Sequence, residues 1–525
     1  MKSSSSMILV VSACFLIVLS ACAPAATMQS STALPTASYV MEAAAPAGSG
    51  ATMPPSTGGE TEPNDEPYGD VFYENYGVNP FIDTEDDHFS TFAVDVDTAS
   101  YTIMRRMVGD GYLPDKDSVR VEEYVNFFEQ GYERPAHDAF AIHLEGAPAP
   151  YGGERYHLVR VGLQGYEVPA EKRPDAVLTF VIDVSGSMDY ENRLALVKEA
   201  LFLLVDQLRP SDSVAIVVYG SRARVVLEPS FVGKRYDRIR QAIADLEPEG
   251  ATNAEEGLIK AYQIAARAFN PDAINRVILC SDGVANVGNT GPDSIMAQIR
   301  EHATGGIYLT SVGFGMGNYN DVLMEQLADT GDGFYAYVDD MREADRVFVD
   351  RLTTSLQVIA RDAKIQVDFN PAVVSRYRLI GYENRDIADA DFRNDSVDAG
   401  ELGPGHSVTA LYEVKFQNEA DPKATALTVA VRYEDPESGT VTELSRSLAQ
   451  ADMTAAFSEA SPRFQLAAVV AEYAEILRES YWAKESSLAA VASEAQRIAE
   501  YLPHDSDVQE FAQLANRSVG LNATR

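Results

Sequence analysis

Between residues 174 and 346 the sequence alternates short continuous apolar runs with amphipathic ones, and this alternation restricts the fold more than any other feature of the chain. Residues 176–183 are almost unbroken apolar, whereas Leu194, Val197, Leu201, Leu204, Val205 and Leu208 recur at helical spacing. Residues 214–219, 277–280, 307–312 and 334–338 read as further strands, 224–227 as an edge strand, and 259–268 and 322–327 as helices. A strand that is apolar on both sides has to be covered on both faces, so helices pack above and below one mostly parallel sheet. The pattern predicts a doubly wound, Rossmann-like α/β domain.

Such sheets bind ligands beyond the carboxyl ends of their strands. The first strand runs there into Asp183-Val-Ser185-Gly-Ser187, three short oxygen-bearing side chains around a glycine that lets the backbone turn tightly. Hard oxygen donors concentrated in one turn suit a small hard cation. Two further oxygen-bearing loops occur in order: Glu249-Gly-Ala-Thr252-Asn253 before a helix, and Leu279-Cys-Ser-Asp282-Gly283 at a strand end.

Together these three loops resemble the von Willebrand factor type A (VWA) domain and its metal-ion-dependent adhesion site (MIDAS). The family pattern of Asp-x-Ser-x-Ser, a Thr from a second loop and an Asp from a third is matched by Asp183, Ser185, Ser187, Thr252 and Asp282, and Gly313-Phe-Gly-Met-Gly317 fits the loop after the next strand. The resemblance implies Mg²⁺ or Mn²⁺ as cofactor, bound directly by the two serines and, with a ligand present, by the threonine. The two aspartates act mostly through water. Uncharged direct ligands leave the ion electron-poor, so it accepts an Asp or Glu carboxylate from a protein partner.

Charge agrees with a metal-mediated contact. The chain has 79 acidic and 42 basic residues and a net charge of −37, which excludes nucleic acid or an anionic lipid surface as a direct partner, since both need basic patches. A bound cation gives such a protein a local site that attracts anions.

The N-terminus reads as an export signal. Lys2 precedes an apolar run over 7–19, too short for the roughly 20 residues of a membrane span. Leu19-Ser20-Ala21-Cys22 resembles a bacterial lipobox, which implies cleavage before Cys22 and lipidation of its thiol. The expected location is the cell envelope, lipid-anchored on the extracytoplasmic side of a bacterial membrane. Ala23 is compatible with the outer membrane if the host has one. Residues 1–22 are thus a signal peptide, and 23–75, rich in Ala, Ser, Thr, Pro and Gly, a disordered tether. Of three cysteines only Cys280 then remains, ending an apolar strand as a buried structural thiol.

The flanks read as three more units. Residues 76–135 resemble the N-terminal α/β segment found beside the metal-binding domain in bacterial VWA lipoproteins. Asp95, Asp97 and Ser100 there suit an edge strand running into a capped helix rather than a second cation site. Period-two patterns in 136–172 and 360–450 predict one β-sandwich into which the domain at 174–346 is inserted. From Ser461-Pro462 three helical stretches form a small C-terminal helical unit over 460–520, with the sole tryptophan, Trp482, reading as core.

No His-Glu-x-x-His, nucleophile elbow or phosphate loop occurs, and hydroxyl ligands do not suit a metal-dependent hydrolase. The expectation is a non-enzymatic envelope lipoprotein that binds a protein partner through its metal site, for adhesion or complex assembly. The alternative is a metal-independent structural scaffold.

Overall fold

The computed structural model describes residues 73–523, apart from 136–137, 152, 154–155, 170–171, 284–291, 316–319, 352–357, 398 and 437. Cys22, the signal peptide and nearly all of the tether segment lie outside the described residues.

The described chain begins with two short strands, β1 (Ile82–Asp83) and β2 (Phe89–Ala93), and two helices, α1 (Ala99–Asp110) and α2 (Val121–Asn126). The start of α1 is capped from outside: Thr98 makes no side-chain cap, and the Ser100 N–H donates instead to Glu123 Oε2 of α2 at 2.7 Å. An acid at a helix N-terminus suits the dipole. Gly111, in left-handed conformation at φ +96°, ends the helix. Two long strands follow, β3 (Phe140–Pro148) and β4 (Tyr156–Gly165).

The α/β domain runs β5 (Ala176–Asp183), α3 (Arg193–Gln207), β6 (Ser213–Tyr219), β7 (Ala223–Phe231), α4 (Val232–Ala244), α5 (Ala254–Ala268) and β8 (Ile274–Ser281). It continues with α6 (Pro292–Thr304), β9 (Ile307–Phe314), α7 (Asp321–Thr330), β10 (Tyr335–Val338) and α8 (Met341–Asp345). The sheet order is β10-β9-β8-β5-β6-β7, parallel except for the antiparallel edge strand β7. Leu178, Phe180 and Ile182 of β5 pack on Leu194, Val197 and Leu201 of α3. Val181 joins the opposite core, with Val277 and Leu279 of β8 and Leu258 and Tyr262 of α5. Continuous apolar strands and a two-sided cover are therefore one fact, as the periodicity predicts. Cys280 is fully buried in the first of these cores.

Strand β10 would leave a free sheet edge, and the N-terminal segment closes it. Asp97 Oδ1 accepts from the Tyr335 N–H at 2.9 Å, and Thr102 Oγ1 donates to the Tyr337 carbonyl at 2.9 Å.

After the domain come β11 (Ala360–Phe369), β12 (Val374–Ile380), β13 (Gly400–Leu402), β14 (Ser407–Phe416), β15 (Thr425–Glu434) and β16 (Val441–Ala449). One sheet has the order β1-β12-β14-β4-β3, and the other joins β13, β11, β15 and β16 with β2 on β11. Strands from before and after the α/β domain thus share one sheet, and a common apolar core joins the two sheets.

Three helices complete the described chain: α9 (Pro462–Leu477), α10 (Leu488–Tyr501) and α11 (Ser506–Asn522). Ser461 Oγ caps α9 by accepting from the Phe464 N–H at 3.2 Å, with Pro462 in the first turn. These helices share one core with α1 and α2: Tyr101 stacks on Phe127 at 4.0 Å, and Phe511 meets Phe128 and Tyr473 edge-on. The expectation of a core tryptophan is corrected. Trp482 is 36% exposed, lies edge-on to Phe81 and donates its indole N–H to the Asn79 carbonyl at 3.1 Å. Its polar edge finds a partner only at the surface. Among the described residues no helix is long and apolar enough to cross a membrane.

Candidate metal centre

Strand β5 ends at Asp183, and its neighbours β6 and β8 end beside it. Val184 N–H donates to the Tyr219 carbonyl at 2.9 Å and Gly186 N–H to the Gly250 carbonyl at 3.0 Å, so the first loop is pinned both to β6 and to the loop that carries Thr252. Asp183 is fully buried: Oδ1 accepts from the Ser185 N–H at 2.8 Å and Oδ2 from Ser281 Oγ at 3.0 Å. The Ser185 and Ser187 hydroxyls lie 3.0 Å apart. Asp282, one residue beyond β8, is held by Arg193 Nη1 at 2.7 Å.

All five oxygen-bearing residues named from the sequence are buried, Ser187 being the most exposed at 7%. Burial, and next the charge of Asp282, push the Asp183 carboxyl up to about 7. Asp282 is also raised by burial, with hydrogen bonds from Ser187 and Arg193 working against the rise. Two carboxylates that resist ionisation beside one another form a site in which a further cation lowers the free energy.

Thr252 Oγ1 is buried with no hydrogen-bond partner among the described residues. Burying a hydroxyl unpaired costs on the order of 1–3 kcal/mol, and this one sits in the loop that Gly186 N–H ties, through the Gly250 carbonyl, to the loop of Ser185 and Ser187. Among the described residues no three His, Cys, Asp or Glu side chains group as metal ligands. The donors here are two carboxylates and three hydroxyls, a hard oxygen set that fits Mg²⁺ or Mn²⁺.

Sequence reasoning missed Arg193 and Ser281. Arg193 opens α3, where the helix dipole disfavours a cation, and that misplaced charge was the available signal. Ser281 carries no such mark, because its role depends on β8 lying beside β5. Of the glycine-rich loop after β9, Gly315 adopts φ +89° against the Arg193 side chain, while Met316 and Gly317 lie outside the described residues. The carboxylates of Asp95 and Asp97 already have a cation from the chain itself: Arg385 lies 3.2 and 3.5 Å from them and also pairs with Glu325 and Asp329.

Comparison with known proteins identifies the α/β domain that carries these loops. The family profile of the von Willebrand factor type A domain matches residues 178–350, that of von Willebrand factor residues 68–160, and that of uncharacterized protein YfbK, C-terminal, residues 354–521. Uncharacterized protein YfbK of Escherichia coli (strain K12) is 39% identical over 359 residues, 67% of this chain and 62% of that protein. Uncharacterized protein sll0103 of Synechocystis is 26% identical, covering 53% of this chain and 66% of its own length. The chain therefore spans less than two thirds of either relative. Human inter-alpha-trypsin inhibitor heavy chain H4 is 30% identical over 159 residues, 29% of this chain and 17% of that protein. Among solved structures, von Willebrand factor type A from Catenulispora acidiphila overlaps with a TM-score of 0.44 at 19% identity, covering 73% of this chain and 90% of that one. The chain carries a von Willebrand factor type A domain, set in a YfbK-like bacterial protein.

Proposed function

We propose that Asp183, Ser185, Ser187, Thr252 and Asp282 form a metal-ion-dependent adhesion site through which the protein binds an acidic side chain of a protein partner in the cell envelope. The observation that carries this reading is the close Ser185–Ser187 hydroxyl pair on the loop that also holds the buried Asp183 carboxylate, tied through Gly186 and Gly250 to the loop in which the Thr252 hydroxyl is buried without a partner. When bound, the divalent ion supplies an electrophilic position for a carboxylate. Ser185, Ser187 and Thr252 would hold it through their hydroxyls, with Asp183 and Asp282 acting through water, as the family resemblance implies. Asp183 fixes the loop through Ser185 N–H and is itself fixed by Ser281. The protein acts by binding and is not an enzyme. Lipidation at Cys22 would hold it on the extracytoplasmic side of the membrane, in the outer membrane if the host has one.

A second reading has its own observation. Arg193 already neutralises Asp282, which permits a scaffold that needs no metal. Calorimetric titration with Mg²⁺ and Mn²⁺, followed by capture of envelope proteins with and without EDTA, separates the two. Saturable divalent binding and EDTA-sensitive capture support the metal site, and chelation without effect on either supports the scaffold.

A further inference from the structure

We propose that Arg193 sets the charge of this centre and thereby its preference for an anionic ligand; the inference rests on the metal-site reading above. Nothing in the local structure of α3 calls for a cation at its first residue, where the helix dipole is unfavourable to one. The Arg193 side chain is nonetheless 9% exposed and its partner Asp282 3%, with Nη1 2.7 Å from Asp282 Oδ2 and 3.4 Å from the Ser187 carbonyl. The guanidinium therefore touches two of the three loops that build the centre. The loop after β9 is shaped around it: a Cβ at Gly315 would lie 2.2 Å from Arg193 Nε. Behind it Glu191 lies 3.9 Å away and is itself held by Arg106 at 2.9 Å, so the guanidinium has charged partners on both sides.

The consequence follows from formal charge. With both aspartates ionised and Arg193 present, the centre carries one net negative charge, and a divalent cation leaves it with one net positive charge. Without Arg193 the centre would start two charges negative and end neutral. Arg193 thus weakens resting cation affinity, because the ion competes with it for Asp282, and strengthens the pull of the loaded centre on a carboxylate. Arg193 is a positioning and specificity residue whose effect is opposite on the two ligands.

The test compares wild type, Arg193→Gln and Arg193→Lys by calorimetry with Mn²⁺ and Mg²⁺, then titrates acetate into each Mn²⁺-loaded protein and follows water-proton relaxation. Arg193→Gln is expected to bind Mn²⁺ about 10-fold tighter and acetate about 10-fold more weakly, from the change of one charge at the centre, while Arg193→Lys, which keeps the charge, stays close to wild type. Equal Mn²⁺ affinity in wild type and Arg193→Gln overturns the inference and leaves the metal site standing. Absence of divalent binding in wild type overturns the site itself. Because Arg193→Gln leaves Asp282 buried without its cation, the Mg²⁺-induced rise in melting temperature is read as well. A larger rise than in wild type supports the inference, and a chain that stays unfolded at saturating Mg²⁺ overturns it, since the ion then fails to replace the guanidinium.

Discussion

Ser281 at the end of β8 donates its hydroxyl to Asp183 Oδ2 at the end of β5, 3.0 Å across two adjacent parallel strands. This bond joins two of the three loops of the centre. Both residues are fully buried, so removing the donor leaves a carboxylate oxygen unsatisfied. At pH 8, where Asp183 is ionised, Ser281→Ala is expected to lower stability by about 1.5–3 kcal/mol, the range for a hydrogen bond to a charged group. Urea denaturation checks this, and an unchanged midpoint would contradict it.

Asp183 should make the metal-free protein less stable as pH rises. Its folded carboxyl is raised to about 7 from an ordinary value of 3.8, so between these limits the folded state binds more protons than the unfolded one. Stability contributed by this group then falls from about pH 4 to about pH 7 and levels off above. Asp183→Asn, which is never ionised, is expected to melt higher than wild type at pH 8 without metal and to lose that advantage near pH 4. Paired melting curves across this range give the difference directly. A wild type that gains on the variant with rising pH would have the wrong sign.

Arg385 ties the N-terminal segment to the α/β domain. Its guanidinium lies within 3.5 Å of Asp95, Asp97, Glu325 and Asp329, and the first three of these carboxylates are buried. Arg385→Gln leaves the buried Asp95 and Asp97 carboxylates without their ion-pair partner, and the expected loss is about 3–5 kcal/mol, as for breaking one side of a buried pair. Because Asp97 also caps the Tyr335 N–H at the β10 edge, limited proteolysis should cut between β2 and α1 faster in the variant. Unchanged stability and cleavage would show that the network is dispensable.

The anchor is tested separately from the site. Cys22→Ala is expected to move the protein from the detergent-rich to the aqueous phase, or to leave it unprocessed. Unchanged partitioning of this variant would refute lipidation at Cys22.

The α/β domain was legible because each β-strand that is buried on both faces has to be apolar throughout, and each helix has to show one apolar stripe. Asp183, Ser185, Ser187, Thr252 and Asp282 stood out in the sequence because their three loops resemble the von Willebrand factor type A pattern at strand ends, and the structure buries all five. Ser281 was not, since a serine in an apolar strand has no sign of its partner until strand order is known. Arg193 offered only its unfavourable place at the start of α3 as a sign, since its partner Asp282 lies in a loop from another strand. The shared core of α1, α2 and α9–α11 was also illegible, because Tyr101 and Phe511 are joined by tertiary packing and local periodicity carries no information about such pairs. Trp482 was misread because a large aromatic between helices looks like core unless its N–H partner is known.

The central claim is that the five side chains hold a divalent cation and that Thr252 serves its ligand-bound state. Calorimetry with Mg²⁺ and Mn²⁺ on wild type, Asp183→Ala and Thr252→Ala, with melting curves to verify folding, tests it most directly. Asp183→Ala is expected to lose at least about 10- to 100-fold in metal affinity, whereas Thr252→Ala keeps resting affinity and loses binding of a carboxylate ligand. Retained metal affinity in well-folded Asp183→Ala would contradict the account.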